Sequence, residues 1–280
     1  MKAAGILLIL AGTLLLPAAL PVQGEPLLVF CGFANQGPAE EIAAGFEEAS
    51  GTRVELIFGT GGRLLAQIKL ARRGDIFWPG SEDFIALARR DGLLAEQDHL
   101  VAAYHLPALF VPPGNPGRVE KLADLARPGI RVVIPNPQAT AAGRAAIELL
   151  EKNGLLEEVM KNVAAFSATP PQAARFAAAG QVDAALTWDI YRTRFGRQVE
   201  TVPLDPEIFP RLVAVPAAIL AGSRRPEAAA GFLEYLASES ARSVLAEAGF
   251  LDPGAADRFP RAELGGLYTL PPLNHPGKRP

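Results

Sequence analysis

Three apolar runs near the start of the chain each break into a turn of small residues and then open an amphipathic stretch. They are Leu27-Leu28-Val29-Phe30-Cys31 before Gly32-Phe33-Ala34-Asn35-Gln36-Gly37, Val54-Glu55-Leu56-Ile57-Phe58 before Gly59-Thr60-Gly61-Gly62, and Asp75-Ile76-Phe77-Trp78 before Pro79-Gly80-Ser81. Ile42, Ala43 and Phe46 recur at helical spacing behind Pro38, with Glu40 and Glu41 in the first turn, which predicts a helix over 38–49 ending near Gly51. Leu64, Leu65 and Ile68 predict a second over 62–72, and Phe84, Ile85, Leu87 and Ala88 a third over 81–90. Strand, small turn and helix repeated in this way predict a parallel sheet whose turns align along one edge, with unpaired backbone N–H groups at the helix starts.

The pattern restarts after Leu106-Pro107. Ala108 to Val111 and Arg131 to Ile134 read as strands, and Pro135-Asn136-Pro137 breaks the second before a helix over 141–152. Further helices are predicted over 154–163 and 171–179, and a short strand over 183–187 that stops at Trp188-Asp189. Leu212 to Leu220 is apolar and β-prone, and two amphipathic helices follow over 226–237 and 239–248. The tail beyond Asp252 is rich in Gly and Pro, and its last stretch reads as loose.

The N-terminus changes the picture. Lys2 precedes an apolar run from Ile6 to Leu20 that holds Pro17 and ends before Val22-Gln23-Gly24, the pattern of a secretory signal with the mature chain starting at Glu25. An uncleaved anchor is the alternative, but the run is shorter than the roughly 20 residues a span needs. The 27 basic and 30 acidic residues give a formal net charge of −3, without a basic stripe to follow nucleic acid. The lone Cys31 allows no internal disulfide and reads as a small buried hydrophobe. A lipid-attachment site would want a small residue before it, where this chain has Phe30, so the chain reads as a soluble exported protein.

Catalytic constellations are missing. His99, His105 and His275 have no metal-ligand spacing, and there is no G-x-S-x-G, S-x-x-K or G-x-x-x-x-G-K-[ST] motif. Gly59-Thr60-Gly61-Gly62-Arg63-Leu64 begins like a dinucleotide fingerprint but puts Leu64 where the last small residue belongs. Those glycines either make a tight turn or let an oxyanion approach the backbone, with Thr60 adding a hydroxyl. Asp183 and Asp189 either form a carboxylate pair or start a strand and cap the next helix. Trp78 and Trp188 end strands on the proposed edge, where core packing competes with a binding role.

In their order these segments resemble the periplasmic molybdate- and tungstate-binding proteins of ABC transporters, within the wider group of two-lobed solute receptors. The residues that carry the likeness are Leu28 to Ala34, Glu41 to Glu47, Phe58 to Gly62 with Leu65 to Ile68, Gly74 to Phe77, Ile134 to Pro137 with Ala141 to Gly143, Asp183 to Trp188, and Ala248 to Leu251. The resemblance implies a type II periplasmic-binding-protein fold, α/β, with the ligand cleft between lobes. It assigns 25–105 and 212–270 to the first lobe, 106–211 to the second, 1–24 to the signal and 271–280 to a loose tail, with crossings near Tyr104 to Ala108 and Phe209 to Val213. It also implies an oxyanion held by hydroxyls and backbone N–H groups at Gly32, Phe33, Ala34, Asn35, Thr60, Gly61, Gly62, Thr140, Ala141, Ala142, Gly143, Trp188 and Asp189. It further implies a monomer without cofactor that serves a membrane permease from the periplasm.

The chain departs from that pattern where molybdate receptors usually carry serine, at Ala34 and at Gly61 or Gly62, and where they carry a second-lobe tyrosine, at Leu186 with Trp188 nearby. Donors alone suit a fully deprotonated dianion, whereas phosphate also wants an acceptor, which Asp189 would supply. Two alternatives stand beside this reading. The same fold could take ferric ion or a small organic anion, for which Tyr104, Tyr191, Tyr235 and Tyr268 are widely spaced. An enzyme would have to use Asp183 and Asp189 in the cleft.

Overall fold

A computed structural model describes residues 24–96 and 99–254. The signal segment, most of the C-terminal tail and Tyr268 lie outside the described residues.

The chain builds two five-stranded sheets with one topology used twice. The first combines β1 (Leu27–Gly32), β2 (Val54–Gly59), β3 (Ile76–Trp78), β4 (Leu100–His105) and β10 (Val213–Ile219) in the order β2-β1-β3-β10-β4. β1 pairs in parallel with β2 and β3, and β10 runs antiparallel between β3 and β4. The second combines β5 (Pro107–Val111), β6 (Val132–Pro135), β7 (Val163–Ser167), β8 (Ala184–Trp188) and β9 (Glu200–Val202) in the order β7-β6-β8-β5-β9. Here β6 is parallel to β7 and β8, and β5 is antiparallel to β8 and β9. In each sheet three parallel strands stand in the order second, first, third, so their C-terminal ends share one edge.

The helices between the strands are α1 (Gln36–Ser50), α2 (Gly61–Ala71) and α3 (Glu82–Arg90) on the first sheet. On the second are α4 (Ala141–Lys152), α5 (Leu156–Asn162), α6 (Pro170–Ala178) and α7 (Tyr191–Phe195). After β10, α8 (Pro226–Leu236) and α9 (Glu239–Glu247) return to the first sheet, where the rings of Phe46 and Phe232 meet edge-on at 5.2 Å and Trp78 packs on Phe232. β5 shows how the second sheet is covered on both faces. Leu109 and Val111 join a core with Ile134, Ile147 and Leu150, while Ala108 and Phe110 face the continuous core that runs into the first lobe.

Only Leu106 separates β4 from β5, and the chain returns through residues 203–212. The second crossing is pinned to the end of α4, where the Lys152 ammonium donates to the carbonyls of Glu207 and Phe209 and the Asn153 amide donates to Ile208.

The sequence pattern places most helices within two residues of their bounds. It does not separate β7 from the helix before it: α5 stops at Asn162 and Val163 already pairs with Val132. The strands β4 and β9 also went unread. β9 spans three residues, and β4 is extended by its antiparallel partner β10 rather than by its own alternation.

Asp75 ties the first sheet together. Its carboxylate accepts from the Leu28 N–H at 2.8 Å and the Ser223 hydroxyl at 2.6 Å, so it links β1 to the turn after β10 from a site that is 6% exposed. Asp75→Ala leaves the Leu28 N–H buried without an acceptor and is expected to cost about 2–3 kcal/mol in urea unfolding.

Candidate functional site

The C-terminal strand edges of the two sheets face each other across a small cavity of about 20 Å³. Gly32, Phe33, Ala34, Gly59, Thr60, Gly61, Gly80 and Phe84 line it from the first lobe, and Thr140, Ala141, Pro170 and Trp188 from the second. Each lies at the end of a strand or in the first turn of the helix that follows, which is why residues far apart in sequence converge. The walls nearly touch: a side chain at Gly32 would come within 3.1 Å of the Gly80 nitrogen, and one at Gly80 within 3.9 Å of Ala141. At Gly61 a Cβ would fall on the ring of Phe84, so glycine there keeps the wall open.

What faces the cavity is mostly main chain. The first helical acceptor of α2 is the Thr60 carbonyl, taken by the Leu64 N–H at 2.9 Å, which leaves the Gly61 and Gly62 N–H groups ahead of the helical ladder. The same holds for Ala141 and Ala142 in α4, whose ladder begins with Arg144 on Thr140. A short 3-10 turn, Phe33–Asn35, leads into α1, and the N-cap Asn35 makes no side-chain cap. The starts of α2 and α4 therefore border the cavity with the positive ends of their dipoles, and the turn before α1 adds Phe33 and Ala34.

The two threonines differ. Thr60 stands at the N-cap of α2 without a side-chain cap bond, so its hydroxyl is open to a ligand. The Thr140 hydroxyl is used twice, donating to the Asn136 carbonyl at 2.8 Å and accepting from the Gly143 N–H at 3.1 Å. It builds the start of α4 and has no proton left to give.

The remaining candidates sit around the cavity. Asn35 is fully buried and its amide donates to the carbonyls of Trp78 and Pro79, bracing the turn from behind. Gly62 faces Ala139 across the lobes, at 3.7 Å from its carbonyl oxygen for a built Cβ. Ala142 is buried, and Gly143 packs its backbone against Pro135 to Pro137. Asp189 does not line the cavity: its carboxylate accepts from the Arg192 guanidinium at 3.4 Å, while its carbonyl accepts the Arg192 backbone N–H. Asp183 is held by Arg131 through the backbone N–H at 2.8 Å and the guanidinium, which keeps its carboxyl below the usual range. The two aspartates bracket β8 at its opposite ends, about 20 Å apart by strand rise, so they form no carboxylate pair.

Trp188 packs in the core and also reaches the cavity. It is 1% exposed, lines the cavity, and stacks on His105 with ring centres 4.6 Å apart. His105 ends β4 at the crossing and also meets Phe250, and burial pushes its imidazole down to about 3, so it packs as a neutral ring. This stack had a weak sequence signal, a histidine within the predicted crossing. Cys31 is a buried thiol, pushed up by desolvation, and no group of ligands that could hold a metal ion exists among the described residues. Tyr104, Tyr191 and Tyr235 lie on β4, α7 and α8 and do not cluster.

The family model for bacterial extracellular solute-binding proteins matches residues 27–251. The chain belongs to that family. The molybdate-binding protein ModA of Rhodobacter capsulatus is 25% identical over 243 residues, which cover 85% of this chain and 93% of the relative. Among solved structures, the periplasmic molybdate-binding protein of Azotobacter vinelandii superposes with a TM-score of 0.70 at 21% identity, covering 81% of this chain and 99% of that one. The sulfate-binding protein SubI of Mycobacterium tuberculosis superposes at 0.72 with 19% identity, covering 84% and 91%. These likenesses fix the fold as the two-lobed type II periplasmic-binding-protein architecture, and the family is one of solute-binding proteins rather than enzymes.

Because the Thr140 hydroxyl closes the first turn of α4, Thr140→Ala is expected to lower thermal stability by about 1 kcal/mol. Differential scanning calorimetry of the ligand-free protein measures it.

Proposed function

We propose that this protein is an exported receptor that captures a tetrahedral oxyanion, molybdate or tungstate before others, between its lobes and delivers it to the permease of an ABC transporter. The observation that carries this reading is the cavity's chemistry: helix-start N–H groups and the Thr60 hydroxyl, with no charged side chain among the described lining residues. Such a site offers donors and no carboxylate acceptor, which favours an anion that has already lost its protons. Its volume of about 20 Å³ has room for little more than one water-sized centre, so it suits a compact inorganic ion rather than a body with a carbon chain. The names of the relatives, molybdate-binding and sulfate-binding, agree with this chemistry and divide on the ion. Both lobes contribute walls, so the ligand binds the closed form better than the open one, and that difference drives closure. Periplasmic location and the signal at 1–24 belong to the same reading.

A second reading has one observation behind it. Phe33 and Ala34 also line a larger cavity of about 340 Å³, with Gln36, Glu40, Tyr191 and Arg194 on its walls. An organic acid carrying an oxyanion group could set that group in the small cavity and its body in the larger one.

The test is calorimetry of the chain from Glu25 onward with molybdate, tungstate, sulfate, phosphate and a phosphorylated three-carbon acid. Heat with molybdate or tungstate alone supports the first reading, heat with the organic acid alone the second, and silence from all five removes both. Thr60→Ala is expected to weaken the bound anion about 10- to 100-fold while leaving the melting curve unchanged, the scale of one hydrogen bond to a charged group. Gly61→Val, which drives a side chain into Phe84, is expected to abolish binding.

A further inference from the structure

A buried ion cluster joins the two lobes beside the cavity. Arg211 lies on the return crossing, and its guanidinium grips Glu148 of α4 with both carboxylate oxygens, at 2.8 and 2.9 Å. The same guanidinium reaches the start of α3, pairing with Glu82 and lying 3.5 Å from Asp83. All four side chains are at most 13% exposed. One turn along α4, the Arg144 guanidinium lies over the Phe84 ring, 4.7 Å from its centre, and Phe84 is a wall of the cavity. α3 belongs to the first lobe and α4 to the second, so both contacts cross the cleft.

We propose that Arg211 is an interlobe latch, which draws α3 and α4 together as the lobes close and so holds the cavity shut, by itself and around a captured anion. The role in capture rests on the receptor reading above; the latch itself does not. Three carboxylates face two guanidiniums here, and one Glu82 oxygen is buried without a partner. The closed cluster thus carries one negative charge too many, and a proton on Glu82 removes it. Burial raises the Glu82 carboxyl to about 7, against the opposing pull of Arg211, with Asp83 and Glu148 adding to the rise. Arg144 faces Asp83 and Glu148 from α4, and the Ser81 hydroxyl donates to Asp83 at 3.2 Å.

The sign follows from linkage. Opening returns Glu82 to water and to the ordinary carboxylate range, so the closed form has the higher pKa and binds the proton. Closure is therefore favoured as pH falls through 7, and is indifferent to pH well above it. With these two values the closed form gains about tenfold between pH 8 and pH 6.

The experiment uses the full chain from Glu25 in two arms. Small-angle X-ray scattering of the ligand-free protein at pH 6 is expected to show the wild type compact and Arg211→Lys, which keeps the charge but loses the fork, and Arg211→Met expanded, with circular dichroism verifying that each variant is folded. Stopped-flow binding of molybdate is expected to give a dissociation rate about tenfold faster in Arg211→Lys with the association rate unchanged. In the same scattering measurement the ratio of closed to open wild-type protein should rise about tenfold from pH 8 to pH 6, while Glu82→Gln keeps one ratio across that window. Identical scattering from wild type and folded variants overturns the latch, as does a Glu82→Gln profile that keeps the wild-type slope. If molybdate binds no form of the protein, the receptor reading fails and the scattering arm still decides the latch.

Discussion

Unpaired backbone donors are the constraint from which this structure follows. Every parallel strand in both sheets hands over to a helix at the same edge, and the first N–H groups of each helix have no acceptor in their own ladder. With one residue between β4 and β5, the two edges are brought face to face rather than left to point into solvent. The hydrogen bonds that would satisfy a lone helix start in water are thus left open at a shared cavity, the kind of place where an anion is held in the proposed function. The packing around the cavity keeps them open: Asn35 and the twice-used Thr140 brace the turns from behind.

The cost of that arrangement is a joint that must be stable shut and still able to open. Two kinds of contact share the joint. The stack of Trp188, His105 and Phe250 is apolar and insensitive to charge, because the imidazole is buried and neutral. The cluster around Arg211 is ionic and carries unbalanced charge. The first can persist through a rotation about the crossing, since His105 and Leu106 are themselves the crossing. The second connects elements on opposite sides of the cleft.

Much of this was legible in the residues. Apolar runs giving way to small turns at Gly32, Gly59 and Pro79-Gly80 announced the parallel sheet and its edge, and eight of the predicted lining positions do converge on one cavity. The misses have physical causes. β4, β7 and β9 are extended because a neighbouring strand pairs with them, and pairing partners do not show in local periodicity. Asn35 and Asp189 carry side chains suited to a ligand, but whether a polar group faces a cavity or a backbone carbonyl depends on the strand beside it. Arg211 was invisible for the same reason: a lone arginine after a proline gains meaning only when α3 and α4 arrive from either side.

The spent hydroxyl of Thr140 has a wider consequence. With that hydroxyl engaged, the donors left on the second lobe's side of the cavity are the peptide groups at the start of α4, which every residue type but proline carries alike. A recognition surface written in the main chain can be conserved in shape while its letters change. Side chains that differ from a relative's at such positions then leave the backbone donors themselves in place.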